Sequence, residues 1–222
     1  MSDDNCQALV PYTVQQSFLA EFRERYKTVS IDDSLNVTIE QNWNDNGVAG
    51  VLWDSAIILA RYVATHRQLV VAKRVLELGA GTGLPSMAAV HAGASSVIAT
   101  DIPSAIDLLQ GNIARNVPSN SPVTVRPLIW GRPLDQQINL PVDLILGADL
   151  VYNEEVFEDL KATLLTYASN HTTILMTSRI RYPKDRRFYR SLGDSFDVRQ
   201  IHYDSATDVR LYEIILKERS SN

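Results

Sequence analysis

The stretch VLELGAGTGLP, residues 75–85, runs from an apolar segment through Gly79, Gly81 and Gly83 into the start of an amphipathic one. A strand ending in such a turn and passing into a helix lets the backbone approach a ligand beside a helix N-terminus. The spacing is GxGxG. A dinucleotide-binding turn has GxGxxG, and here Leu84 stands where its third glycine would be.

Downstream, short apolar runs alternate with helical patterns. Strands are expected at RVLELG (74–79), SVIATD (96–101), PVTVRPLIW (122–130), VDLILGAD (142–149) and TTILMTS (172–178). Helices are expected near 83–92, 104–116, 153–169 and 184–193. This rhythm implies right-handed crossovers and a parallel sheet buried on both faces. The last two runs, FDVRQIHY (196–203) and DVRLYEIIL (208–216), have only DSAT between them, which permits antiparallel pairing alone. The sheet is therefore expected to be mixed, with a C-terminal hairpin. Upstream, SLNVTIEQN (34–42) alternates Leu35, Val37 and Ile39 as a half-buried strand would, and VLWDSAIILARYVATH (51–66) has helical spacing. The whole reads as one α/β domain over 1–222, a strand-and-helix extension (1–70) on a Rossmann-like core (71–222).

Bulk properties exclude several classes. A chain of 222 residues with 45% hydrophobic and 21% charged residues has the make-up of a globular domain with a large core. A net charge of −5 gives no general attraction to nucleic acid or anionic membrane. The single cysteine, Cys6, cannot form an intrachain disulfide, which fits a reducing compartment. The opening MSDDNCQALV lacks the basic start and apolar core of a signal peptide, and no run approaches the roughly 18 apolar residues of a membrane helix. A soluble cytoplasmic chain, monomeric, is expected. His66, His91, His171 and His202 are scattered, so no metal site is expected, and Ser86 in GLPSM is outside any nucleophile elbow.

Two carboxylates sharpen the glycine turn. Glu77 lies inside the apolar strand, where an ionised group needs a donor or cationic partner. Asp101 ends the next strand, where an acidic residue can hydrogen-bond a ribose. A nucleoside with a cationic tail and no pyrophosphate suits both, with Asp101 on the ribose and Glu77 near an ammonium. S-adenosyl-L-methionine has that shape.

VLELGAGTGLP, TDIPSAIDLLQGN (100–112), IWG (129–131) and DLILGADLVY (143–152) together resemble the family 16 seven-β-strand protein-lysine methyltransferases. The likeness extends to ALVPY (8–12), VLWDSAIIL (51–59), SRIRYPKDRRF (178–188) and VRQIHYD (198–204). It implies a Rossmann-like class I fold that uses S-adenosyl-L-methionine. The likeness is greatest to the branch that methylates 70-kDa heat-shock chaperones, while TDIPSAIDLLQGN and NVPSN look equally like a branch acting on elongation factor 1-alpha. Carried over, it implies cofactor contacts from Trp53, Gly79, Ala80, Gly81, Asp101, Trp130 and Ala148.

The D-x-x-Y pattern of Asp149 and Tyr152 resembles the family's substrate-site motif. A lysine must be neutral to accept a methyl group. With pKa values of about 3.9 for aspartate and about 10.4 for lysine, Asp149 is a poor general base. It is expected to capture and orient the amine, with Tyr152 as a wall and hydroxyl beside it. The basic run RIRYPKDRRFYR (179–190) is a solvated face, a docking surface for an acidic protein partner or, the least favoured of the three, a contact for nucleic acid. Two other classes share the glycine turn, an NAD-dependent oxidoreductase and a non-catalytic cofactor-binding scaffold.

Overall fold

Seven strands form one sheet in the order β5-β4-β3-β6-β7-β9-β8: β3 (Arg74–Leu78), β4 (Ser96–Asp101), β5 (Val123–Pro127), β6 (Leu144–Ala148), β7 (Thr173–Arg179), β8 (Phe196–Asp204) and β9 (Val209–Leu216). The computed structural model of the chain describes residues 24–132, 138 and 141–218. Cys6 and the ALVPY segment lie outside them. The five strands from β3 to β7 are mutually parallel. The C-terminal hairpin is antiparallel as expected, and β9 inserts between β7 and β8.

Side-chain alternation explains why this sheet is covered on both sides. On β3, Val75 faces one hydrophobic cluster while Leu76 and Leu78 face the other. On β6, Leu144 and Leu146 join the first cluster and Ile145 the second; on β7, Leu175 opposes Ile174 and Met176. The helices sort accordingly. On the first face lie α1 (Asp54–Thr65), α2 (Leu84–Ala92) and α3 (Ile106–Asn116), through Leu59, Met87 and Leu109 among others. On the second lie α4 (Phe157–Tyr167) and α5 (Pro183–Leu192), through Leu160, Leu164 and Phe188. Each fully buried leucine or phenylalanine contributes about 1.5–3 kcal/mol.

Three boundaries differ from the sequence reading. The expected strand 122–130 stops at Pro127: Leu128 N–H makes the last ladder bond, to Asp101 O (2.8 Å), and the chain then turns at Gly131, φ +73°. Trp130 is thereby freed from the sheet. The helix expected from Val51 begins at Asp54, with Trp53 extended at its N-terminus. Helix α4 starts only after a 3₁₀ turn at Glu154–Val156.

The extension joins the core through two asparagines. Strands β1 (Tyr26–Ser30) and β2 (Asn36–Glu40) form an antiparallel hairpin. On α3, Asn112 accepts from Glu40 N (2.8 Å) and donates to Glu40 O (3.0 Å). One helical turn later, Asn116 accepts from Thr38 N (2.9 Å) and donates to Thr38 O (2.9 Å). Four helical residues rise about 6 Å and two strand residues about 6.6 Å, so the two side-chain amides stand in for a neighbouring strand. Asn112 is fully buried. Asn112→Leu should destabilise the protein by about 1–3 kcal/mol in urea unfolding, because it strands the N–H and C=O of Glu40. An unchanged midpoint would show that water replaces the amide.

Candidate active site

At the C-terminal ends of β3, β4 and β6 the strands open into one cavity of about 560 Å³. This is the edge at which parallel α/β sheets bind ligands. Trp53, Gly79, Ala80, Gly81, Asp101, Trp130, Ala148, Asp149 and Tyr152, all singled out in the sequence, line it. Glu77 does not.

The glycine turn forms one wall. Gly79 has φ +56°, and a Cβ there would lie 2.7 Å from Leu150 Cδ2 and 3.1 Å from Trp130. Gly81 has φ +52°, and its Cβ would lie 3.1 Å from Ala49 O. Both backbone angle and space therefore demand glycine. Asp101 braces this turn: its Oδ2 accepts from Gly81 N (2.7 Å) and its Oδ1 from Ile102 N (2.7 Å). An ionised carboxylate has about four acceptor sites, so each oxygen keeps capacity for a ligand hydroxyl. Burial raises the Asp101 pKa, and the two N–H donors act against that rise.

Glu77 is a correction to the sequence reading. It is 1% exposed and points away from the cavity into the N-terminal turn of α2. Its Oε2 accepts from Ser86 N (2.9 Å) and from Ser86 Oγ, while Oε1 has no partner. Side chains alternate along β3, so Glu77 shares the face of Val75 and lies beneath α2, outside the cavity lining. Burial pushes its pKa up to about 8, so it is chiefly a neutral acid at pH 7.

Another part of the lining is ionic. Asp149 has φ +54°, a left-handed conformation that costs a non-glycine residue about 1–3 kcal/mol, and its N–H extends the sheet by donating to Thr177 O (2.8 Å). Arg181 answers the carboxylate with both arms, Nη1 to Oδ1 (3.0 Å) and Nη2 to Oδ2 (2.7 Å). Arg181 is fixed in turn by Asp185, buried at the start of α5, whose Oδ2 accepts from Arg181 N (2.8 Å) and Tyr182 N (2.9 Å). Tyr152 is 44% exposed at the rim. Burial, then the charges of Asp101 and Asp149, raise its pKa, so its hydroxyl stays protonated and able to donate.

The basic run 179–190 is therefore not one uniform surface. Arg179 pairs with Asp54 (3.1 Å), Arg187 with Glu154 (3.0 Å), and Lys184 donates to Tyr152 O (2.5 Å). Arg179 and Arg181 face the cavity. Sequence reasoning noted both only as members of that run. A usable signal was present: Asp149 demands a partner, and parallel pairing of Ala148 with Thr177 brings the next residues of β7 alongside. Also missed were Asn46, Val48, Ala49 and Val51, from a short α-helical turn (Trp43–Asn46), the 3₁₀ turn that follows (Gly47–Gly50) and the residue after it, held over the glycine turn. Trp53 Nε1 donates to Val48 O (2.9 Å) of this segment.

Comparison with known proteins gives a consistent result. The model of a family described as lysine methyltransferase matches residues 31–195. The chain is 38% identical over 212 residues to protein N-lysine methyltransferase METTL21A of Danio rerio, covering 94% of this chain and 96% of that protein. It is 35% identical over 181 residues to EEF1A lysine methyltransferase 3 of Mus musculus, covering 79% and 76%. Among solved structures, the ribosomal protein L11 methylase of Lactobacillus delbrueckii subsp. bulgaricus superposes with a TM-score of 0.62 at 20% identity, covering 87% of this chain and 100% of that one. Magnesium protoporphyrin IX methyltransferase of Synechocystis PCC 6803, with bound SAH, gives 0.59 at 14% identity, covering 90% and 95%. These two likenesses concern the fold.

Glu77 generates a pH test. Its pKa rises from an ordinary 4.5 to about 8 on folding, so the native state holds a proton that the unfolded chain releases. Stability is then greatest below the unfolded pKa and falls as pH rises through about 8, by up to about 1.4 kcal/mol per pH unit. Urea unfolding between pH 5 and 8 should show this slope in the wild type and a flatter one in Glu77→Gln. Equal slopes would mean that Glu77 is ionised in the fold.

Proposed function

The chain belongs to the lysine methyltransferase family, and from that premise we propose that Asp149 and Tyr152 receive a lysine of a 70-kDa heat-shock chaperone. It is a protein-lysine N-methyltransferase, its methyl donor is S-adenosyl-L-methionine and its acceptor is a protein. The NAD-dependent oxidoreductase reading of the glycine turn falls away with that membership. Elongation factor 1-alpha is the second substrate reading, supported by the likeness to the mouse EEF1A enzyme.

The observation that carries the site assignment is the cavity itself, whose lining brings Asp101 together with Asp149 and Tyr152. The residues fit the cofactor. Asp101 has acceptor capacity for ribose hydroxyls, the backbone at Gly79, Ala80 and Gly81 allows close approach, and Ile102, Ile129 and Trp130 offer apolar surface to a purine. Trp53 and Ala148 complete the walls. When bound, the cofactor supplies a methyl carbon on a positively charged sulfur, so that an amine lone pair forms the N–C bond as the C–S bond breaks and its electrons pass to sulfur.

The chain's own residues then have positioning work to do. Holding donor and acceptor at near-attack distance, with water excluded, accounts for much of the barrier reduction in such displacements. Asp149 accepts an N–H of the incoming amine, and the Tyr152 hydroxyl bounds it from the rim. The proton released by the lysine passes to water.

Asp149→Ala should abolish methyl transfer while SAH affinity, read by calorimetry, largely survives; full transfer in the variant would remove Asp149 from the acceptor site. Asp101→Ala should weaken SAH by roughly 10- to 100-fold, the worth of hydrogen bonds to a charged acceptor, and unaltered affinity would displace the ribose assignment. Incubation with labelled S-adenosyl-L-methionine and, in parallel, purified 70-kDa chaperone and elongation factor 1-alpha should label the chaperone. Label on the elongation factor alone would establish the second reading.

A further inference from the structure

Asp149, the residue placed at the acceptor end, is already bound on both oxygens by Arg181. The guanidinium is itself part of the cavity wall. Resting on the lysine methyltransferase reading above, we propose that Arg181 is a positioning residue that cancels the charge of Asp149, so that the acceptor lysine occupies the site as a neutral amine rather than as a trapped ammonium.

Capture and reaction make opposite demands on the lysine. A carboxylate attracts it into the cavity, but an opposite charge within about 4–6 Å stabilises the ammonium and raises its pKa by about 1–3 units. An ammonium has no lone pair, so a bare Asp149 would bind the substrate in an unreactive form. A guanidinium locked on the carboxylate resolves this. It cannot deprotonate in the working range, and the two-armed geometry holds it in place. The pair presents near-zero net charge while Asp149 keeps free lone pairs to accept an amine N–H.

Other charged and titratable groups also face Arg181. Asp185, from α5, acts on the guanidinium with its charge and spends Oδ2 on two backbone N–H groups. Arg179, from β7, is matched by Asp54 at the start of α1. Tyr189, from α5, shares a hydrogen bond with Ser178 (2.6 Å), and burial raises its pKa, so it is neutral. Tyr152 is neutral for the same reason. Tyr182 flanks Arg181 along the chain and is exposed at 61%. The charge set against Asp149 thus comes from Arg181 itself.

The test is the pH dependence of kcat, from pH 6 to 10.5, for transfer from labelled S-adenosyl-L-methionine to purified 70-kDa chaperone, with elongation factor 1-alpha in parallel. In the wild type the acid limb should lie below the ordinary lysine pKa of about 10.4. Arg181→Gln should move that limb upward by about one unit or more and lower KM, because the uncovered carboxylate holds the cation more tightly. Arg181→Lys keeps the charge and should leave the limb within about half a unit of the wild type. SAH affinity should be preserved in both variants, which separates the effect from a general loss of structure. A limb that stays in place in Arg181→Gln overturns the inference. So does a wild-type limb at or above about 10.4, a result that needs no variant to fold. A wild type that labels neither protein, nor any protein of a cytosolic extract, overturns the methyltransferase reading and this inference with it.

Discussion

The parallel register of β3, β4, β6 and β7 is the constraint on which the site depends. Leu78 lies opposite Gly147, Glu77 opposite Ala99, and Ala148 opposite Thr177, so the strands end at one edge and the residues just beyond them converge there. Everything chemical in the chain is hung on that edge: the glycine turn after β3, Asp101 at the end of β4, Asp149 after β6 and Arg181 after β7. A one-residue shift of register in any one strand would move the group at its end out of place and, since side chains alternate, exchange that strand's contributions to the two hydrophobic clusters.

Each acid on this edge is handled by a different physical device. Asp101 is held by two backbone N–H groups, Asp149 by a guanidinium, and Glu77 by protonation. The choice reflects the surroundings. Asp101 and Asp149 border the cavity, where ionised groups can be matched by donors and by what binds there. Glu77 lies under a helix, where among the described residues Ser86 is its hydrogen-bond partner, and the neutral form is the lower in free energy. Three carboxylates that look alike in the sequence thus differ in charge, orientation and use.

Much of the fold was legible in the sequence because it depends on local pattern. Seven runs of short apolar residues became seven strands, and the four-residue DSAT link forced the hairpin. Boundaries failed where the next residue depended on distant partners: beyond the last ladder bond, from Leu128 N–H to Asp101 O, the chain turns at Gly131, and Trp53, just ahead of α1, is held by its bond to Val48 O. The asparagines on α3 were unreadable as anchors. Their spacing matters only once β2 lies beside them.

The candidate site divides along the same line. By itself the sequence determined the glycine turn, the acids at the ends of the strands and the D-x-x-Y pair, because covalent connectivity fixes which residues come directly after each strand. Only the tertiary structure decided which way Glu77 points, since alternation along β3 assigns its face only after the helices have chosen theirs. Only the tertiary structure decided that Arg181, thirty-two positions from Asp149, is its partner, and that the helical turns of Asn46, Val48 and Ala49 lie over the glycine turn. A charge is written in the sequence, but its neutralisation depends on distance. Distance between remote residues is a property of the packed sheet.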